Sequence, residues 1–259
     1  MEKEAILLKN IFSFAEMYLS DLCPDGVDIG KYVNNDKSYT DLNTVCRFMI
    51  ESAQNRNMLP GVIQFQERHA VFKEILFNFD PQLILDYYDD ESLFQSFQEK
   101  FSVKNPTSPR NLWRLFAKSI ISICTFLTHF EDAQAFDDFV MTFTKNEITR
   151  AALPMVLEKE IYGFGFALAC DFLKELGYTE YPKPDDHLMD VYSELGICIR
   201  DPYLVYKAAI RMAEACRKTA YYVDKTIWLI CSGNYYLDGV EIPGKKRELI
   251  ESFKKVLNE

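Results

Sequence analysis

The chain of 259 residues is long enough for one large domain or two small ones with a buried core. Its 48% hydrophobic and 14% aromatic residues exclude a disordered or fibrous protein. With 29 Lys and Arg against 39 Asp and Glu, the net charge of −10 excludes a protein that coats nucleic acid through a general basic surface, so any such contact must be local.

Helical periodicity begins at once, with Ile6, Leu7, Phe14, Met17 and Tyr18 recurring at spacings of three and four. Residues 23 to 39, around Gly26 and Gly30, read as a short strand or irregular loop. Further helical segments begin near Thr40, Glu67, Glu91, Arg110, Ala133, Lys145, Phe166, Asp186, Pro202, Ala220 and Lys245. The segment that opens near Arg110 follows the loop KNPTSPRN, whose Pro109 suits a first helical turn. It is apolar on most of its circumference, as a central buried helix would be. Near the end, Asp238-Gly239 between apolar residues predicts a small hairpin over Tyr235 to Ile242. With 10 Gly and 10 Pro, the chain has too few breaks for the turns of an all-β protein.

The expected fold class is therefore all-α, with a domain break near residue 105. Residues 1–104 form a mainly helical region packing with the C-terminal helices, and 105–259 form a second helical domain. Seven scattered cysteines without a C-x-x-C pair point to neither a disulfide framework nor a zinc site. The chain shows no signal-peptide pattern at its start and no apolar run long enough for a membrane span, so a soluble cytoplasmic protein is expected, with no membrane partner and no obligate protein partner.

The most informative stretch is Lys159 to Leu195. A helix ends near Tyr162, Gly163-Phe164-Gly165 supplies two residues free to take positive φ, and a second helix runs from Phe166 to Leu176. Backbone amides at the start of that second helix, with its dipole, make a site for one phosphate. After Gly177 and a loop with Pro182 and Pro184 come Asp185-Asp186-His187 and another apolar-periodic segment.

This order resembles the helix-hairpin-helix DNA glycosylases: a hairpin of the form Tyr162-Gly163-Phe164-Gly165, then a spaced loop and a D-x-H, here Asp185 to His187. The motif spans about 35 residues. The resemblance implies a two-lobed helical bundle with the helix-hairpin-helix at about 155–176. It also implies base excision from double-stranded DNA with an extruded base, without metal or organic cofactor. Gly163, Gly165, Phe166 and Ala167 would hold the DNA backbone. Asp185 would be the catalytic carboxylate, stabilising an oxocarbenium-like sugar and orienting water. Asp186 is the rival acid, and capping of the following helix is the alternative role of Asp185.

The lyase-type members carry a nucleophilic Lys where this chain has Ala167, so a monofunctional hydrolase is implied. The base-wedging amide of the family is also missing, since the corresponding stretch is Ile121-Ser122-Ile123-Cys124. Candidates for the base pocket are Trp113, Tyr162 and Trp228. A local basic face of Lys159, Lys174, Lys183, Arg211, Arg217, Lys218 and Lys225 would supply the charge that the chain as a whole lacks. A DNA-binding or lesion-recognising module without catalysis is the main alternative, and a helical interaction protein with an incidental G-x-G is a third reading.

Overall fold

The computed structural model describes residues 2–36, 39–56 and 59–256. They run through α1 (Glu2–Leu22), α2 (Gly30–Val33), α3 (Leu42–Gln54), α4 (Pro60–Ile63) and α5 (His69–Ile75) to a 3₁₀ turn at Phe77–Phe79. Next come α6 (Pro81–Tyr87), α7 (Asp90–Lys100), α8 (Leu112–Leu127), α9 (Ala133–Thr142), α10 (Glu147–Glu160) and α11 (Phe166–Glu175). The chain closes with α12 (Asp186–Glu194), α13 (Pro202–Cys216), α14 (Ala220–Ser232), the strands β1 (Asn234–Tyr235) and β2 (Val240–Glu241), and α15 (Lys246–Val256). The protein is thus predominantly helical. Side-chain caps start many of these helices: Asp41, Asp80, Asp89, Asn111, Asp132, Asn146, Asp185, Asp201 and Thr219 each accept from a backbone N–H of the first turn.

The chain divides into two compact units, one made of Met1–Lys37 with Leu173–Glu259 and the other of Ser38–Phe172. In the first, α1 buries Leu8, Ile11, Phe12, Ala15 and Leu19, spaced as one helical face, and packs on α13 and α14. Helix α14 is the hub, because it also meets α2, α12 and α15 and is buried around most of its girth. The predicted hairpin is present: β1 and β2 pair antiparallel, Asn234 opposite Glu241 and Tyr235 opposite Val240. Tyr32 on α2 fastens it, its hydroxyl donating to Asp238 Oδ2 at 2.8 Å and accepting from the Asp238 N–H at 3.0 Å. This is what shapes the region around Gly30: α2 forms a single helical turn there, and no strand occurs among the described residues of 23–39.

In the second unit α8 is central, packing on α3, α6 and α7, as its apolar girth predicts. Around it Phe65, Phe72, Phe97, Phe101, Trp113 and Phe116 form a connected group of rings. The start of α8 lies slightly later than the proline suggests. Asn111 is the N-cap and Leu112 the first helical residue, so Pro109 lies in the preceding loop rather than in the first turn. The loop at 104–111, the expected site of a domain break, runs inside this unit between α7 and α8. No helix among the described residues is long and apolar enough to cross a membrane.

Candidate functional site

Glycine at 163 answers an internal demand. Between α10 and α11, Ile161 and Phe164 are buried while Tyr162 is exposed. The Tyr162 N–H donates to Ser122 Oγ on α8 at 2.9 Å, and that hydroxyl in turn donates to the Ser119 carbonyl at 2.9 Å. Gly163 has a φ of 83°, and a Cβ there would stand 2.7 Å from Arg56 Nη1 and 3.1 Å from Ser119 Oγ. Gly165 differs: its φ is outside the left-handed region, and a Cβ there would meet nothing within 4 Å among the described residues. Only one of the two hairpin glycines therefore uses the positive φ expected of both.

Helix α11 opens with the Ala169 N–H donating to the Gly165 carbonyl at 3.0 Å. Among the described residues no acceptor meets the N–H groups of Gly165 or Ala167, which lie at the positive end of this helix. The C-terminal end of α3 braces the turn between α10 and α11. Asn55 Nδ2 donates to the buried Asp171 Oδ2 of α11 at 3.1 Å, and the Arg56 guanidinium lies 5.9 Å from the Tyr162 ring centre. Arg56 Nη1 is buried and has no hydrogen-bond partner among the described residues. Arg56, Ser119 and Asn55 carry no motif signal and are invisible to spacing arguments; Ser122 is tied to the backbone of the α10–α11 turn.

Asp185 belongs to the other unit, where it caps α12. Its Oδ1 accepts from the N–H groups of His187 at 2.9 Å and Leu188 at 3.1 Å, while Oδ2 has no partner among the described residues. The capping role is thus present, and it occupies one oxygen. Asp186 is exposed and paired with Arg200 Nη2 at 2.6 Å. His187 Nδ1 is buried, with no hydrogen-bond partner among the described residues. The loop leading into Asp185 is fastened to α14 twice: the Lys183 N–H donates to Asp224 Oδ2 at 2.6 Å and the Tyr221 N–H to the Thr179 carbonyl at 2.9 Å.

The same Asp224 oxygen receives Lys174 Nζ at 2.9 Å in a buried ion pair. Lys225, also buried, reaches Glu175 at 2.9 Å and sits beside the rings of Tyr221, Trp228 and Tyr236. Burial and the neighbouring Lys174 favour the neutral amine of Lys225, but Glu175, Tyr221 and Tyr236 outweigh them and hold it as an ammonium above the ordinary lysine range. Four of the seven residues of the expected basic face are therefore buried or engaged by carboxylates. Lys174 and Lys225 are buried, and Arg211 and Lys218 reach Glu4 and Glu16 at 3.2 and 3.4 Å.

The three candidate base-pocket residues have different surroundings. Trp113 is buried, stacked on Phe101 at 4.6 Å, and lines a cavity of about 730 Å³ bounded by residues between Gly61 and Trp113. Tyr162 lines a different cavity, of about 360 Å³, with Ser122, His129 and Glu160. Trp228 packs edge-on to Tyr236 at 6.0 Å. Neither cavity is lined by Gly163, Gly165 or Asp185. Compared with protein-family models, with curated proteins and with solved structures, the chain has no match.

Proposed function

We propose that this chain is a monofunctional DNA N-glycosylase of the helix-hairpin-helix type, hydrolysing the glycosidic bond of a damaged or modified base extruded from double-stranded DNA. The observation that carries the reading is the divided carboxylate of Asp185. Two backbone amides fix Oδ1, the loop before it is held to Asp224 and α14, and Oδ2 is left to face a ligand. A carboxylate fixed in this way can stabilise positive charge on the sugar and orient the attacking water without reorganising during the reaction. The rival Asp186 is engaged by Arg200, which favours Asp185.

The hairpin supports the same reading. Gly165 has no steric neighbour among the described residues to make way for, so its missing side chain is of use to something that approaches from outside, such as a DNA phosphate meeting the amides of Gly165, Phe166 and Ala167. Two buried lysines stand near the end of α11, but Lys174 is ion-paired and Lys225 is held as an ammonium, so neither replaces the Schiff-base lysine missing at Ala167.

A non-catalytic DNA-binding module is favoured by one specific observation: Trp113 and Tyr162 line separate cavities, so they do not form one base pocket. Single-turnover base release on duplexes carrying alkylated, deaminated and oxidised bases decides between the two. The native chain is expected to release one class of base. Asp185→Asn, which keeps a good helix cap, is expected to slow release by about a hundredfold or more. Release unchanged in Asp185→Asn overturns the assignment of the acid. DNA binding without release, surviving in Asp185→Asn, establishes the module.

A further inference from the structure

The cavity between Gly61 and Trp113 combines features that nothing above uses. Its volume of about 730 Å³ is that of a small-molecule site. Four of its lining residues are cationic, Arg68, Lys100, Lys104 and Arg110, and none is acidic, in a chain whose net charge is −10. Lys100 is paired with Glu74 at 3.0 Å. Among the described residues no carboxylate lies within ion-pair distance of Arg68, Lys104 or Arg110.

These charges are held in place. Arg68 Nη1 donates to the carbonyls of Val62 and Ile63 at 3.1 and 3.3 Å, and Nη2 donates to Gln64 Oε1 at 2.8 Å. The guanidinium also lies 5.2 Å from the Phe101 ring centre and 5.5 Å from that of Trp113. It is thus a rigid cation with no opposite charge. The loop bearing Lys104 and Arg110 is bound to the head of α8 by Asn111. Its Nδ2 donates to the carbonyls of Lys104 and Asn105 at 2.7 and 3.0 Å, and its Oδ1 accepts from the Trp113 N–H at 2.9 Å. The cavity wall therefore includes the positive end of a 16-residue helix.

From this arrangement we infer that the cavity binds a phosphomonoester-bearing ligand of nucleotide size. Three uncompensated cations and a helix N-terminus match the two negative charges that a phosphomonoester approaches at neutral pH. The half-buried Phe101 ring, backed by Trp113, gives the apolar wall for the organic part. A free nucleotide and a phosphorylated strand end share this chemistry.

Calorimetric titration of the full native chain tests the inference, using adenosine 5′-monophosphate, a 5′-phosphorylated tetrathymidylate and the same strand with a 5′-hydroxyl. Saturable binding of at least one phosphorylated ligand is expected, weakened at least tenfold in the Lys104→Gln/Arg110→Gln double variant. Both of those residues are exposed and without ion-pair partners among the described residues, so the variant folds as the parent does. Tighter binding of the mononucleotide assigns a free nucleotide, and tighter binding of the phosphorylated strand assigns a strand end. No saturation with either, equal binding of the 5′-hydroxyl strand, or unchanged affinity in the double variant overturns the inference. None of these readings depends on base release.

Discussion

Many cations in the unit of α1 and α12–α15 end on carboxylates: Lys174 on Asp224, Lys218 on Glu16, Lys225 on Glu175, Lys246 on Asp190, Arg247 on Glu251 and Lys254 on Glu194. In the Ser38–Phe172 unit, Arg56, Arg68, Lys104 and Arg110 have no ion-pair partner among the described residues; Arg56 stands at the hairpin and the other three line the 730 Å³ cavity. The first set is the more conspicuous in sequence, above all in Lys245-Lys246-Arg247. It is the second that gathers unpaired positive charge around one cavity. Clustering along the chain counts charges, whereas a ligand meets only those that no carboxylate has neutralised.

The comparison breaks most sharply at Asp224. Asp224→Ala removes the nearer counter-charge of the buried Lys174, leaving Glu175 at 3.9 Å, and frees the Lys183 N–H, and is expected to cost about 3 kcal/mol in urea unfolding. Lys104→Gln with Arg110→Gln, in the other set, is expected to stay within about 0.5 kcal/mol of the parent. Gly163→Ala comes next in size. It forces a side chain into a φ of 83° and toward Arg56, at an expected cost of about 1–2 kcal/mol, while Gly165→Ala is expected to leave stability unchanged. If the Gly165 variant instead proves as costly, the outward-facing role of that glycine is lost. Asn111→Ala is expected to cost about 1 kcal/mol as a lost helix cap, seen as a lower melting temperature, and to loosen the loop that carries Lys104 and Arg110.

Much of the fold is legible from local pattern. The starts of α3, α5, α7, α8, α10 and α15 fall within about two residues of their periodic segments, and those of α9, α11, α12, α13 and α14 coincide with them, because a cap and an apolar stripe are both local signals. The hairpin of β1 and β2 follows from Asp238-Gly239 in the same way. Helix α2 does not, since its one turn depends on Tyr32 reaching Asp238 from 206 residues away. At the candidate site the division is similar. Gly163 and the capping geometry of Asp185 can be read from their neighbours in sequence. The Lys174–Asp224 pair, the approach of Arg56 to the hairpin and the acid-free lining of the cavity join residues far apart in the chain, and no spacing rule relates them.

The smallest expected effect tests how completely the C-terminal cations are neutralised. Asp190 accepts from Lys246 Nζ at 2.6 Å and from Arg200 Nε at 2.9 Å. The Lys246 hydrogen bond, partly opposed by burial and aided by Arg200, holds its carboxyl below the ordinary aspartate range. A carboxyl with a lower pKa in the folded state than in the unfolded chain stabilises the fold above the unfolded value, near about 3.9, and ceases to do so as pH falls through the folded value. Because the group is about a third exposed, solvent screening limits its contribution to about 0.2–1 kcal/mol. Asp190→Asn is therefore expected to lower the melting temperature slightly at pH 6, with the difference from the parent closing below about pH 4. A difference that persists undiminished in acid would show that Asp190 acts through packing rather than charge, and Lys246 would then join the cations left available to a ligand.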